Sequence, residues 1–249
     1  MNPTERFSNR VENYRRFRPN YPPAVIELIR ETTNLPIKVE VADLGSGTGI
    51  LTRLLLDQGW TVYAVEPNAP MREAAEADLG DRKKFHSIAT RAEETTLPDV
   101  SVDLITAAQA FHWFDREAAF TEFRRILRPN GWVFLIWNER QKGSPFDHAY
   151  HELLAMLGQA FEGVRDRAED KRLSTFFRAG TYREARFPNP TPLTWEALLG
   201  RFLSSSYVPT EDDPRHAGLV AHLRKIFEEQ QRDGRVIMEQ TTNVYFGQL

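Results

Sequence analysis

The segment Asp43-Leu44-Gly45-Ser46-Gly47-Thr48-Gly49 sets three glycines at alternate positions behind an acid, and a second acid, Glu66, follows 17 residues after Gly49. Glycines let a chain turn sharply and let a bound molecule approach the backbone without meeting a Cβ atom. A loop that holds a dinucleotide reads G-x-G-x-x-G and turns the N–H groups of the next helix toward a pyrophosphate. Here the spacing is G-x-G-x-G, and an unpaired Asp43 carboxylate is unfavourable beside a pyrophosphate. It suits positive charge, such as an amino group or a sulfonium. Glu66 suits a ribose diol, because one carboxylate accepts from both hydroxyls. Adenosine joined to a cationic amino acid meets both demands.

Gln109-Ala110-Phe111-His112-Trp113-Phe114 is a second concentration of capable side chains. Histidine titrates near neutral pH, so His112 is a candidate general base. The alternative is a histidine bonded to a neighbouring loop or stacked among aromatics. Tyr14 is a candidate for contact with the reacting groups, or else packs the N-terminal segment over the sheet. Arg18, Tyr21, Trp113 and Tyr207 are candidates for the wall of an acceptor site. Arg18 and Arg140 are available to a carboxylate-bearing acceptor, although nothing in the sequence selects that class. His86, His148, His151, His216 and His222 are scattered. His148 and His151 share a face if their segment is helical, but no third ligand stands near them in a metal-binding pattern, so no metal is expected.

These residues need elements that bring strand ends together. Val39–Leu44 is a short apolar run. Ile50, Leu51, Leu54 and Leu55 then recur at helical spacing, with Gly59 as a stop signal. Thr61–Glu66 reads as a second strand. Asn68 caps a second helix with Pro70 in its first turn, and Gly80 closes it. Phe85–Ala89 and Val102–Ala108 read as the third and fourth strands. Asp115 caps a helix carrying Phe120, Phe123 and Leu127 on one face, Pro129-Asn130-Gly131 is a turn, and Trp132–Trp137 is a fifth strand. Alternation of this kind predicts βαβ units in a parallel sheet covered by helices on both faces. The glycine loop then falls at the carboxyl edge, where open α/β sheets bind ligands. Beyond residue 140, Phe146–Phe161 and Pro214–Gln231 read as helices, and Tyr182–Phe187 and Val236–Phe246 as strands.

VADLGSGTG (41–49), VYAVEPN (62–68), the stretch after the third strand and SVDLITAAQAFHWF (101–114) resemble the class I S-adenosylmethionine-dependent methyltransferases. The likeness is closer to a small-molecule subgroup of the methyltransferase type 11 kind, with a Tyr…Arg-Pro-x-Tyr-Pro segment, here Tyr14 and Arg18-Pro19-Asn20-Tyr21-Pro22. It covers Tyr14–Trp137 well and is looser beyond, where Ser206-Tyr207 and Val236–Phe246 still look similar. The resemblance implies a Rossmann-like, doubly wound seven-stranded sheet of order 3-2-1-4-5-7-6 with strand 7 antiparallel. Strand 6 then falls at Tyr182–Phe187 and strand 7 at Val236–Phe246.

S-adenosyl-L-methionine is the cofactor this likeness implies. Gly45, Gly47 and Gly49 would line its methionine part, with Ser46 of the same loop among the binding residues, and Asp43 would orient the loop and the amino group. Glu66 would take the ribose hydroxyls. Pro67, Asn68 and Met71 would flank the adenine, Ala92 and Glu93 would meet its edge, and Gln109 and Ala110 would lie beside the reacting methyl. The implied reaction is in-line displacement by an acceptor oxygen, nitrogen or carbon. Many relatives have two glycines where this chain has Pro129-Asn130-Gly131.

Composition narrows the class further. The 249 residues carry 32 Lys+Arg against 35 Asp+Glu, a formal charge of −3, and no cysteine. A disulfide scaffold, a cysteine nucleophile and a thiolate metal site are excluded. The charge gives no reason to expect a nucleic-acid partner, and no Asn/Asp-Pro-Pro-Tyr-type stretch follows the fourth strand. The longest apolar run, Val133–Trp137, is too short to span a bilayer, and the first ten residues are polar. A cytoplasmic protein acting on a small molecule, with no membrane partner, is expected. We expect one domain over residues 1–249: an N-terminal cap segment (1–36), a cofactor-binding core (37–140) and acceptor-side helices with the last two strands (141–249). The competing readings are an NAD(P)-dependent oxidoreductase and a non-catalytic S-adenosylmethionine-binding protein.

Overall fold

The apolar runs of the first half become neighbouring parallel strands. The computed structural model describes residues 10–33, 38–158, 173, 176–177 and 181–249. In it, α1 (Val11–Phe17) and α2 (Pro23–Thr33) precede β1 (Glu40–Leu44), α3 (Ile50–Asp57), β2 (Thr61–Val65), α4 (Ala69–Leu79), β3 (Phe85–Ile88) and β4 (Val102–Ala108). A 3₁₀ turn at Phe111–Trp113 leads into α5 (Arg116–Ile126), β5 (Leu127–Arg140) and α6 (Pro145–Ala155). Then come β6 (Arg183–Pro188), β7 (Thr191–Leu193), α7 (Trp195–Leu203), α8 (His216–Gln230), β8 (Val236–Met238) and β9 (Gln240–Gly247).

The main sheet has seven strands in the order β3-β2-β1-β4-β5-β9-β6. With β9 as the seventh strand of that sheet's plan, this is the expected order. β9 runs antiparallel to both β5 and β6, and the other pairings are parallel. Successive residues divide between two faces, as the pleat requires. Ala42, Ile105, Leu135 and Tyr245 join one apolar cluster, while Val41, Leu104, Phe134 and Phe246 join the other. Burial on both sides explains why these strands read as nearly continuous apolar runs.

Local signals place the helix ends. The Asn68 side chain accepts from the Met71 N–H, the Asp115 side chain accepts from Ala118, and Ser144 with Asp147 forms a reciprocal capping box. Gly59 adopts the left-handed conformation (φ 76°) after α3, whereas Gly80 ends α4 at φ −63°.

Three expectations need correction. Val236–Phe246 is not one strand. Val236–Met238 pairs with the unanticipated β7 in a separate two-stranded sheet, and only Gln240–Gly247 joins the main one. The chain is held at the break: the Glu239 N–H donates to Asp147 Oδ1 at 3.2 Å, and its carbonyl accepts from the Gln141 N–H at 2.8 Å. Second, the Pro129-Asn130-Gly131 turn lies inside β5. Pairing jumps from Val102↔Leu127 to Leu104↔Trp132, and Asn130 takes φ 64°, so the turn is a bulge in one continuous ladder. Third, α6 ends at Ala155; the remainder of the expected Phe146–Phe161 helix from residue 159 lies outside the described residues.

A third apolar cluster, separate from the two sheet faces, joins α6, α7, α8, β7 and β8 through Phe146, Leu153, Leu198, Phe202, Leu223 and Met238. The N-terminal segment bridges this unit and the sheet core. Arg15 Nε donates to Asp78 on α4 at 2.8 Å, Arg10 Nη1 donates to the Leu203 carbonyl at the end of α7 and the Ser205 carbonyl just after it, and Phe17 packs on Gly200 of α7. Among the described residues, no helix is long and apolar enough to cross a membrane.

Candidate functional site

β1, β2 and β4 end side by side, and the loops leaving them converge on one cavity. Backbone forms one wall. The Gly45 and Ser46 N–H groups donate to the Val65 carbonyl, which lashes the glycine loop to the end of β2. Gly45 sits at φ 67°, and a Cβ there would lie 2.5 Å from Ala110 Cβ. Only glycine fits between the loop and the end of β4. Gly47 completes this wall.

Glu66 faces the same cavity and is 9% exposed. Its Oε2 accepts from the Gly47 N–H at 2.9 Å and its Oε1 from the Asn68 N–H at 2.8 Å. Burial raises its pKa above the usual carboxylate value, against the lowering effect of those two bonds and of Arg72. Each oxygen keeps acceptor capacity beyond its one backbone bond. Pro67, Asn68, Met71, Ala92 and Glu93 line the same cavity as the Glu66 carboxylate. Glu93 is also a fastener, accepting from the Asp115 N–H at 2.8 Å.

Asp43 is placed differently. It is 1% exposed and outside the cavity lining. Its Oδ2 accepts from Thr52 Oγ1 at 2.6 Å and its Oδ1 from Thr106 Oγ1 at 2.7 Å. Asp43 and Thr106 are register partners on β1 and β4, so the acid ties both strands to α3. Desolvation pushes its pKa up to about 6, against the two hydroxyl bonds. Ser46 also lies outside the lining, as does Gly49, where a Cβ would lie 2.7 Å from Leu79 Cδ1 on α4. Gly49 therefore serves the packing of α3 on α4.

A second and larger cavity opens beyond the first, with Tyr14, Gln109 and Trp113 lining both. Gln109 carries φ 56°, its N–H donates to Ile136 O at 2.8 Å and its Nε2 to Asn138 O at 3.0 Å. This is a strained backbone position held by its surroundings, at the junction of two cavities. Arg18, Tyr21, His112 and Tyr207 line the second cavity. Trp137 Nε1 donates to His112 Nδ1 at 3.3 Å, which leaves the ring hydrogen of a neutral imidazole on Nε2. Burial raises the pKa of Tyr14 and lifts that of Tyr21 further. Among the described residues, no group of acids and histidines is arranged to hold a metal.

Twelve of the expected site residues thus fall on the first cavity: Tyr14, Gly45, Gly47, Glu66, Pro67, Asn68, Met71, Ala92, Glu93, Gln109, Ala110 and Trp113. Sequence reasoning passed over Arg91 and Ala108 there, and Tyr150, Arg201 and Gln240 in the second cavity. A signal for Arg201 was present: it stands three residues after Leu198 and one before Phe202, a charge on the apolar stripe of α7.

A family model described as a methyltransferase domain matches residues 42–135, the segment that carries the glycine loop, Glu66 and the β4 end. An uncharacterized methyltransferase of Mycobacterium bovis is 36% identical over 205 residues, covering 82% of this chain and 78% of the relative. One of Schizosaccharomyces pombe is 34% identical over 152 residues, covering 59% of this chain and 58% of the relative. Among solved structures, a candidate type II methyltransferase from Anaeromyxobacter dehalogenans superposes with TM-score 0.65 at 23% identity, over 93% of this chain and 98% of the other. A Haemonchus contortus phosphoethanolamine N-methyltransferase, solved with phosphomonomethylethanolamine and S-adenosylhomocysteine, gives 0.57 at 14% identity, over 96% and 56%. Sheet order, loop geometry and kinship agree, and the chain belongs to the class I S-adenosylmethionine-dependent methyltransferases.

Proposed function

We propose that this protein transfers a methyl group from S-adenosylmethionine to a small-molecule acceptor. The observation that carries the reading is the first cavity, where side-chain-free backbone at Gly45 and Gly47 faces the paired oxygens of Glu66. A cationic amino acid suits the backbone side, and a ribose diol suits a carboxylate whose oxygens each retain acceptor capacity. When bound, S-adenosylmethionine supplies an activated methyl group for in-line displacement by an acceptor nucleophile.

The chain's own work is positioning. Glu66, Asn68 and Met71 hold the nucleoside end, while Tyr14, Gln109 and Trp113 stand where the two cavities meet and an acceptor reaches the first. Orientation of two bound reactants supplies up to about 7–11 kcal/mol of a barrier, so no strong base is required. His112, with Nδ1 engaged by Trp137, offers a hydrogen-bond donor at Nε2; a role as base needs that bond to break.

The test is transfer of labelled methyl from S-adenosylmethionine into a pool of small metabolites. Label in a low-molecular-weight product, absent with a Gln109→Ala variant that still binds S-adenosylhomocysteine, is expected. Hydride transfer to or from a nicotinamide nucleotide, with no methylated product, contradicts the reading.

A further inference from the structure

The second cavity gathers three arginines from distant parts of the chain. Arg18, Arg140 and Arg201 all line it, and among the described residues none of the three makes an ion pair with a carboxylate. Arg201 is 5% exposed; its Nη2 donates to Gln240 Oε1, but its Nη1 is buried with no partner. Arg18 donates from Nη2 to the Ser204 carbonyl at 3.2 Å, stacks its guanidinium 4.8 Å from the Tyr14 ring centre, and leaves Nε buried with no partner. Arg140 donates to Tyr207 Oη at 3.3 Å and lies 5.7 Å from the Tyr150 ring centre.

The acids of the same cavity are engaged elsewhere. Asp147 accepts from Ser144 and from the Glu239 N–H, and Glu139 Oε2 accepts from Asn243 Nδ2 at 2.6 Å. A buried guanidinium N–H without an acceptor is costly. Arg18 at the end of α1 and Arg201 on α7, both lining the cavity, thus each keep a buried N–H that no acceptor of the chain satisfies. Guanidinium groups match oxyanions in geometry as well as charge.

We infer that the second cavity binds an acceptor bearing an oxyanion, a carboxylate or a phosphate, held by Arg18, Arg140 and Arg201. The inference rests on the reading of the first cavity as the cofactor site, since the cavities meet at Tyr14, Gln109 and Trp113. The electrostatics agree with the geometry. Burial first, then the neighbouring Arg18 and Arg140 charges, pull the Arg201 pKa down to about 9. Arg140 also lowers the pKa of Tyr207 despite the opposing effect of burial. A bound anion offsets the first effect, because it favours the charged form of Arg201.

The test is calorimetry on the full chain loaded with S-adenosylhomocysteine, at fixed ionic strength, with succinate, inorganic phosphate and uncharged succinamide as probes. Succinate or phosphate is expected to bind at least tenfold more tightly than succinamide, and the better of the two tells which oxyanion the site prefers. Arg140→Gln is expected to weaken that binding at least tenfold while leaving S-adenosylhomocysteine affinity within twofold. Arg18→Gln and Arg201→Gln give the same loss, and Arg140→Gln carries the test if the buried Arg201 variant does not fold. Equal binding of charged and uncharged probes, or anion binding unchanged by Arg140→Gln, overturns the inference. If S-adenosylhomocysteine itself fails to bind the wild-type chain, it is the cofactor reading that falls.

Discussion

Two acids that look alike in the sequence do different work. Glu66 faces the cavity, whereas Asp43 is sealed behind it with both oxygens on threonine hydroxyls. Glu66→Gln keeps the shape, loses the charge and replaces one acceptor by a donor. It is expected to weaken S-adenosylhomocysteine binding by about 1.5–3 kcal/mol, measured by calorimetry; unchanged affinity removes Glu66 from the site. Asp43 makes a prediction about stability. Its pKa is about 6 in the folded chain against an ordinary 3.8, so between those values the folded state holds a proton that the unfolded state has lost. Stability then declines as pH rises from about 4 to 6. Asp43→Asn removes this contribution, so the wild-type advantage over the variant in denaturant titrations should shrink by ~1–3 kcal/mol across that window. A constant difference contradicts the assignment. The sequence marked both acids by their place around the glycine loop, but which one lines the cavity depends on Thr106, a cross-strand register partner of Asp43 63 residues away. Local spacing holds no information on that.

At the scale of elements, legibility followed the source of each signal. Caps at Asn68 and Asp115 were legible because a side chain three residues from its partner N–H is a local device. β4 was legible to the residue, Val102–Ala108, because its apolar run is broken only by Asp103 and Thr106 and every position is buried or half-buried. The split of Val236–Phe246 was not. Val236 and Met238 enter the helical cluster while Val244 and Phe246 enter the sheet core, and both halves alternate with the same period of two. α1 has no buried residues and is too short to stand alone, so its position depends on docking. A Cβ at Gly200 would lie 2.0 Å from the Phe17 ring. Gly200→Ala is therefore expected to loosen α1 by ~1–3 kcal/mol. Hydrogen exchange should quicken across Val11–Phe17 while β1 and β4 keep their protection; unchanged exchange in α1 contradicts the docking described.

Across the whole molecule, the sheet order was implied by the family resemblance alone, whereas the first cavity was accessible from the sequence because the ends of β1 and β2, the glycine loop and Glu66 lie within one continuous βαβ stretch. The second cavity was legible only in part: Arg18, Tyr21, His112, Arg140 and Tyr207 were named from the sequence, but Tyr150, Arg201 and Gln240 were not. Its walls come from α1, α3, β5, α6, α7 and β9 and from the segments after α1, β4 and α7, and its three arginines are separated by more than a hundred residues of chain from first to last. The central claim concerns the first cavity, and competitive binding tests it most directly. S-adenosylhomocysteine and NADH are titrated into the same protein, by calorimetry and by fluorescence. The account predicts one equivalent of S-adenosylhomocysteine bound, no competing NADH, and affinity reduced at least tenfold by Glu66→Gln. Saturable NADH binding with no response to S-adenosylhomocysteine would contradict it.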